Sequence, residues 1–126
     1  MKSVMPGLSR HPGQRTLGRL REPQPCVYIL ASGRNGTLYV GVTSNLVGRL
    51  MQHRDDTSAG FTTRYSVHRL VWFDMAETML DAIATEKRIK KWPRRYKLNL
   101  IEAGNPRWRD LAGDLGLPPM PADRDA

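Results

Sequence analysis

CVYILASGRNGTLYVGV, residues 26–42, is the stretch on which the fold turns. Val27 to Ala31 and Thr37 to Val42 are rich in β-branched and aromatic residues. The cluster Ser32-Gly33-Arg34-Asn35-Gly36 between them contains Asn-Gly, so the stretch predicts a β-hairpin. Directly opposed residues of antiparallel strands have a constant sum of positions, and an even-length loop here makes that sum odd. Tyr28 and Tyr39 add to 67, so under a two- or four-residue loop both side chains share one face.

Beyond the hairpin, Thr43 or Ser44 is placed to cap a helix over about Asn45 to Arg54, with Leu46 and Leu50 on its buried side. Arg49 and His53 stand one turn apart on that helix, at the edge of the apolar stripe. Asp55 to Thr63 reads as a loop, and Val67 to Phe73 as a third strand. Strict alternation puts Val67, Arg69, Val71 and Phe73 on one face, Leu70 and Trp72 on the other. From Glu77 to about Lys91 the apolar residues Met79, Ala82, Ile83 and Ile89 mark one helix face, and Glu86 falls in its middle. A carboxylate there needs a cation, a hydrogen-bond donor or a metal. Pro93 ends that helix, Arg94 to Glu102 predict another, and Asn105-Pro106 reads as the capped start of a last turn carrying Trp108 and Leu111.

Composition sets the frame for these elements. The 126 residues suit one domain, expected over 25–111, between a disordered basic arm at 1–24 and a disordered tail at 112–126 containing Pro118, Pro119 and Pro121. Twenty Lys and Arg against 12 Asp and Glu give a net charge of +8, which favours a polyanionic partner, DNA or RNA first. Seven of the cations, Lys87, Arg88, Lys90, Lys91, Arg94, Arg95 and Lys97, are packed into residues 86–97. Such a run is often a solvated helix face, but Trp92 and Tyr96 interleave it with rings able to stack on bases while the cations meet phosphates. Cys26 is the only cysteine, which excludes an internal disulfide and suits a reducing, cytoplasmic setting. No apolar run has the length of a membrane span, and His11, His53, His68 and Cys26 lack zinc-site spacing.

Each polar candidate has an ordinary reading when taken singly. Strand tyrosines are commonly packing residues, Arg49 and His53 could be solvated, and Glu86 could pair with Lys90 as a surface ion pair of about 0.3–0.5 kcal/mol. Together they cover the requirements of phosphodiester hydrolysis: an activated water, neutralised charge and a stabilised leaving oxygen. A carboxylate can hold a hard divalent cation, an arginine can grip a phosphate, and a tyrosine or histidine can take the water's proton if cationic neighbours lower its pKa.

Cys26-Val27-Tyr28, then Tyr39-Val40-Gly41 eleven residues on, then Arg49 and His53, resembles the GIY-YIG endonuclease family. The resemblance covers about residues 25 to 111 and is strongest to small stand-alone bacterial members related to the amino-terminal nuclease domain of the excinuclease C subunit. It implies an α+β fold, a three-stranded antiparallel sheet flanked by helices, and a metal-dependent DNA endonuclease acting in repair or recombination. By the same resemblance Glu86 would bind Mg2+ or Mn2+, Tyr28 would be general base or orient the water, and Tyr39 would support water or phosphate. Arg49 would stabilise the pentacovalent charge, His53 would assist proton transfer, and Lys87, Lys90, Lys91, Arg94, Arg95 and Lys97 would meet branched, nicked or single-stranded DNA.

The sequence departs from the family pattern at three places. The first triplet keeps only its tyrosine, and Val42 stands where the excinuclease type has a lysine. The family's asparagine after the basic stretch is replaced by Lys97, with Asn99 two residues on and Asn105 further away. A nuclease-like module that holds nucleic acid without cutting it therefore stands as the competing reading, and a structural basic protein as a third.

Overall fold

The computed structural model describes residues 24–55 and 67–117. Three strands, β1 (Cys26–Ala31), β2 (Leu38–Thr43) and β3 (Arg69–Met75), form one antiparallel sheet in the order β2-β1-β3. Among the described residues three helices accompany them: α1 (Leu46–Asp55), α2 (Met79–Lys90) and α3 (Arg94–Gly104), followed by a 3-10 turn at Leu111–Leu115. This is the α+β architecture that the hairpin and the helical stripes imply. Residues 1–23 of the expected arm, 56–63 of the expected loop and 118–126 of the expected tail lie outside the described residues.

The hairpin has a six-residue loop, Ser32 to Thr37, because Ala31 pairs with Leu38. The loop is longer than two or four residues but still even, so Tyr28 and Tyr39 do share a face. Serine and glycine chemistry shapes it. Ser32 Oγ accepts from Thr37 N at 2.9 Å, Gly36 N donates to Gly33 O at 3.0 Å, and Asn35 takes the left-handed conformation at φ 58°.

Alternation along β1 builds two cores. Cys26, Tyr28 and Leu30 enter one with Leu46 and Leu50 of α1, Phe73 and Met75 of β3, and Ala112 and Leu117. Val27, Ile29 and Ala31 enter the other with Ala82 and Ile89 of α2, Ile101 of α3, and Trp108. α1 and α2 thus lie on opposite faces of the sheet. Residues 112–117, expected in the tail, belong to the domain, because the apolar Ala112 and Leu117 finish the first core before the prolines begin.

Strict alternation fails in β3. A register shift opposite Ile29 and Leu30 inserts an extra residue, so Val71 and Trp72 both join the second core while Val67, Leu70, Phe73 and Met75 line the first. Asn105 both ends α3 and opens the expected turn: its carbonyl oxygen accepts from Trp108 N at 3.0 Å and its Oδ1 from Arg109 N at 3.0 Å, while its amide donates to Val71 O at 3.2 Å and Arg109 O at 2.9 Å. Asp110 is the cap of the 3-10 turn: Oδ1 accepts from Leu70 N and Ala112 N, and Oδ2 pairs with Arg54 of α1 at 3.2 Å. One carboxylate ties the sheet edge, the turn and the end of α1 together.

Gly41 faces Tyr28 directly across the hairpin. A Cβ at position 41 would lie 2.6 Å from Cζ and the hydroxyl oxygen of Tyr28, and 2.9 Å from Cε2 of Tyr39. The Tyr28 ring is fully buried and cannot retreat. Gly41→Ala is therefore expected to lower unfolding free energy in urea by about 1–3 kcal/mol, the usual cost of overpacking. An unchanged urea midpoint would mean that the ring is free to move.

Candidate active site

β1 and β2 set two tyrosines on the α1 face, and α1 brings a histidine to them. Thr43 and Asn45 determine how the helix starts: Asn45 Oδ1 accepts from Gly48 N at 3.1 Å, and Thr43 Oγ1 accepts from Asn45 N at 3.0 Å. Asn45 is the cap, in place of the expected Thr43 or Ser44, since only its carbonyl oxygen reaches the third helical amide. From that start Leu46 and Leu50 point into the first core, and Arg49 and His53 follow on the side toward the tyrosines.

The centroids of the Tyr28 and Tyr39 rings are 6.2 Å apart, those of Tyr28 and His53 6.1 Å, and those of Tyr39 and His53 5.6 Å. Tyr28 Oη and His53 Nε2 are hydrogen-bonded at 3.2 Å, within the interior. Burial pushes the Tyr28 phenol well above its usual range, Tyr39 adds to the rise, and the Arg49 guanidinium works against it. The lowered tyrosine pKa that would make a free phenolate is therefore absent, because burial outweighs the one cation nearby. The His53 imidazole moves the other way, from 6.5 to about 4, by burial first and then by repulsion from Arg49 and His68. It is a neutral ring at physiological pH, able to accept a proton at one nitrogen. Arg49 is half-buried, and among the described residues its guanidinium has no hydrogen-bond or ion-pair partner, which leaves it available to an anion.

Glu86 comes from α2. It sits between Ala82 and Ile89, both buried in the second core, and pairs with Lys90 at 2.7 Å. No described contact joins its carboxylate to the ring cluster, although α2 packs along β1 and β2, the strands carrying the tyrosines. Tyr28, Tyr39, His53 and Arg49 are thus brought together, whereas Glu86 takes the ordinary i,i+4 pairing.

The basic stretch is divided by Pro93. Lys87, Arg88 and Lys90 occupy the last turn of α2, where the helix dipole favours cations. Arg94 and Arg95 begin α3, where it opposes them, so these two need another reason. Arg94 has one within the fold: Nη2 donates to Asn35 O at 2.8 Å and Gly36 O at 2.7 Å, fastening the hairpin loop to α3. Lys87, Lys91 and Arg95 are exposed and Lys97 is half-buried. Tyr96 is 54% exposed and meets Trp92 edge-on at 6.3 Å, while Trp92 packs on the second core. Of the two candidate asparagines, Asn105 has both ends of its amide engaged by the backbone, and Asn99 is exposed on α3.

Sequence reasoning missed the close packing of Gly41 on Tyr28 and the capping by Asn45, and it read Arg94 as a nucleic-acid contact without its tie to the hairpin loop. Gly41 was within reach, because a six-residue loop pairs it with Tyr28. Asn45 carried ordinary cap chemistry one position later than the residues chosen. Arg94 gave no local signal, its partners lying 59 and 58 residues away.

A family model described as the GIY-YIG catalytic domain matches residues 24–99. The UPF0213 protein of Clostridium perfringens is 36% identical over 91 residues, covering 72% of this chain and 97% of that protein. The UPF0213 protein of Oceanobacillus iheyensis is 36% identical over 81 residues, covering 64% of this chain and 93% of its own length. The counterpart in Staphylococcus saprophyticus is 31% identical over 78 residues, covering 62% and 94%. No solved structure matches the chain.

Two outcomes follow from this geometry. Because His53 is harder to protonate folded than unfolded, stability is full above pH 6.5 and falls as pH drops from 6.5 through about 4. The loss has an upper bound of about 3 kcal/mol. Urea midpoints measured from pH 7 to pH 4 should decline less steeply in His53→Gln, and parallel declines would refute the assignment. Arg94→Ala should lower stability by about 1 kcal/mol and speed hydrogen exchange at Gly36 N, with Arg95→Ala within about 0.5 kcal/mol of the parent. Equal effects of the two substitutions would contradict the loop-fastening role.

Proposed function

Starting from the fact that this chain belongs to the GIY-YIG family, we propose that it is a metal-dependent DNA endonuclease, structure-selective or weakly sequence-specific, working in repair or recombination in the cytoplasm. The observation that carries the reading is the buried hydrogen bond between Tyr28 and His53, with Arg49 beside it unpartnered among the described residues. A phenol made less acidic by burial is a poor base alone. Joined to a neutral imidazole, it can take a proton from water while handing its own to His53 Nε2, so that no free phenolate is needed. His53 is a weak base at rest, and a bound phosphate raises its proton affinity by adding negative charge beside it. Arg49 grips that phosphate and meets the charge developing in the transition state. Tyr39, in contact with both rings, orients the pair or the water.

Glu86 is the residue that would hold the divalent ion. Among the described residues no three His, Cys, Asp or Glu gather into a closed cage, so a single carboxylate suits a hard ion such as Mg2+ or Mn2+ that keeps most of its waters. When bound, the ion supplies charge neutralisation at the scissile phosphate. Lys87, Lys91, Arg95 and Lys97, with Lys90 and the exposed ring of Tyr96, offer phosphate and stacking contacts, and Arg94 contributes by holding the loop in place.

The second reading is a module that holds nucleic acid without cutting it. It is favoured by the departure from the family's asparagine, where this chain has Lys97, and by the occupation of the Glu86 carboxylate by Lys90. The two readings part when pure protein is incubated with branched, nicked and single-stranded DNA in Mg2+ or Mn2+. Cleavage should appear and fall by about 100-fold or more in Tyr28→Phe, Arg49→Ala, His53→Ala and Glu86→Ala. Undiminished cleavage in Glu86→Ala or Arg49→Ala would refute the site, and salt-sensitive binding with no turnover in either metal would establish the second reading.

A further inference from the structure

The Glu86–Lys90 pair is lopsided. The carboxylate is 12% exposed, between two fully buried residues of α2, while the lysine is 53% exposed. The ammonium reaches in at 2.7 Å from a long stem that otherwise stands in water. A carboxylate set into an apolar helix face needs a counter-charge at all times. Left bare beside a nucleic-acid backbone, it would also repel the phosphates. The lysine end of the pair stands in solvent and loses side-chain freedom while bound, so another cation can take its place at the carboxylate.

We propose that Lys90 is the resident counter-cation of Glu86 in the metal-free protein, and that a divalent ion takes its place by exchange. The inference rests on the reading of Glu86 as the metal ligand and adds a competitor to it. Both cations require the same carboxylate, and a doubly charged ion and an ammonium held side by side repel one another. Metal arrival therefore turns the Lys90 ammonium out toward solvent, where Lys87 and Lys91 already stand exposed. Lys90 keeps Glu86 neutralised when no metal is present, weakens metal binding by occupying the carboxylate, and is released as a phosphate contact once metal has bound. Lys87 and Lys91 have no carboxylate partner among the described residues and do not share this role.

Full-length protein without nucleic acid is titrated with MnCl2 at fixed ionic strength, free Mn2+ being read by electron paramagnetic resonance. Lys90→Met should bind Mn2+ about five- to tenfold more tightly than the parent, the scale of removing one unit charge beside a divalent ion in a high dielectric. Lys87→Met, the control for loss of charge on the same helix, should shift it less than about twofold. Glu86→Gln should abolish binding in both the parent and Lys90→Met backgrounds. Unchanged or weaker Mn2+ binding in Lys90→Met, with Glu86→Gln still abolishing it, would overturn the exchange and leave Glu86 as the ligand. Binding that survives Glu86→Gln, or is absent throughout, would overturn the metal reading and the exchange with it.

Discussion

The site depends on a side chain that is missing. Gly41 stands opposite Tyr28 in the hairpin, and the phenol ring fills the volume that any Cβ at position 41 would claim. That close approach seats the Tyr28 ring deep against β2 and brings its hydroxyl within reach of His53 on α1. Burial then sets the chemistry of both partners, since it raises the phenol and lowers the imidazole, and a hydrogen bond between two neutral groups is what remains. The fold thus holds a hydrogen-bonded phenol–imidazole pair in which neither member is charged at rest.

The sheet divides the labour. The face covered by α1 holds the rings and Arg49, while the face covered by α2 and α3 holds the second core and presents the basic stretch. Pro93 separates that stretch into cations that suit a helix C-terminus and cations that oppose a helix N-terminus. Within it, Lys90 is tied to Glu86 and Arg94 to the hairpin loop, so the surface available to a polyanion is narrower than the raw charge of residues 86–97 suggests.

Period-two and period-3.6 patterns were enough to read the hairpin, the shared face of Tyr28 and Tyr39, and the stripes of α1 and α2, because each depends on neighbours a few residues apart. What escaped depends on longer range. The bulge that sends both Val71 and Trp72 into one core is decided by pairing with β1, and Asn105 and Asp110 act on β3 across 34 to 40 residues. In the site, Tyr28, Tyr39, Arg49 and His53 were legible as a spacing, but the direction of the tyrosine pKa was not, since burial of the ring is a tertiary fact. Glu86 was correctly placed on the apolar stripe, and the same helical geometry that puts it there also supplies Lys90 one turn later.

The most direct test is nitrogen-15 NMR of the His53 imidazole at pH 7 in the intact protein and in Tyr28→Phe. A proton relay from Tyr28 requires a neutral ring with the proton on Nδ1 and a bare, hydrogen-bonded Nε2, whose chemical shift moves when the phenolic hydroxyl is removed. A ring that titrates near its ordinary 6.5, carries its proton on Nε2, or is indifferent to Tyr28→Phe would contradict it.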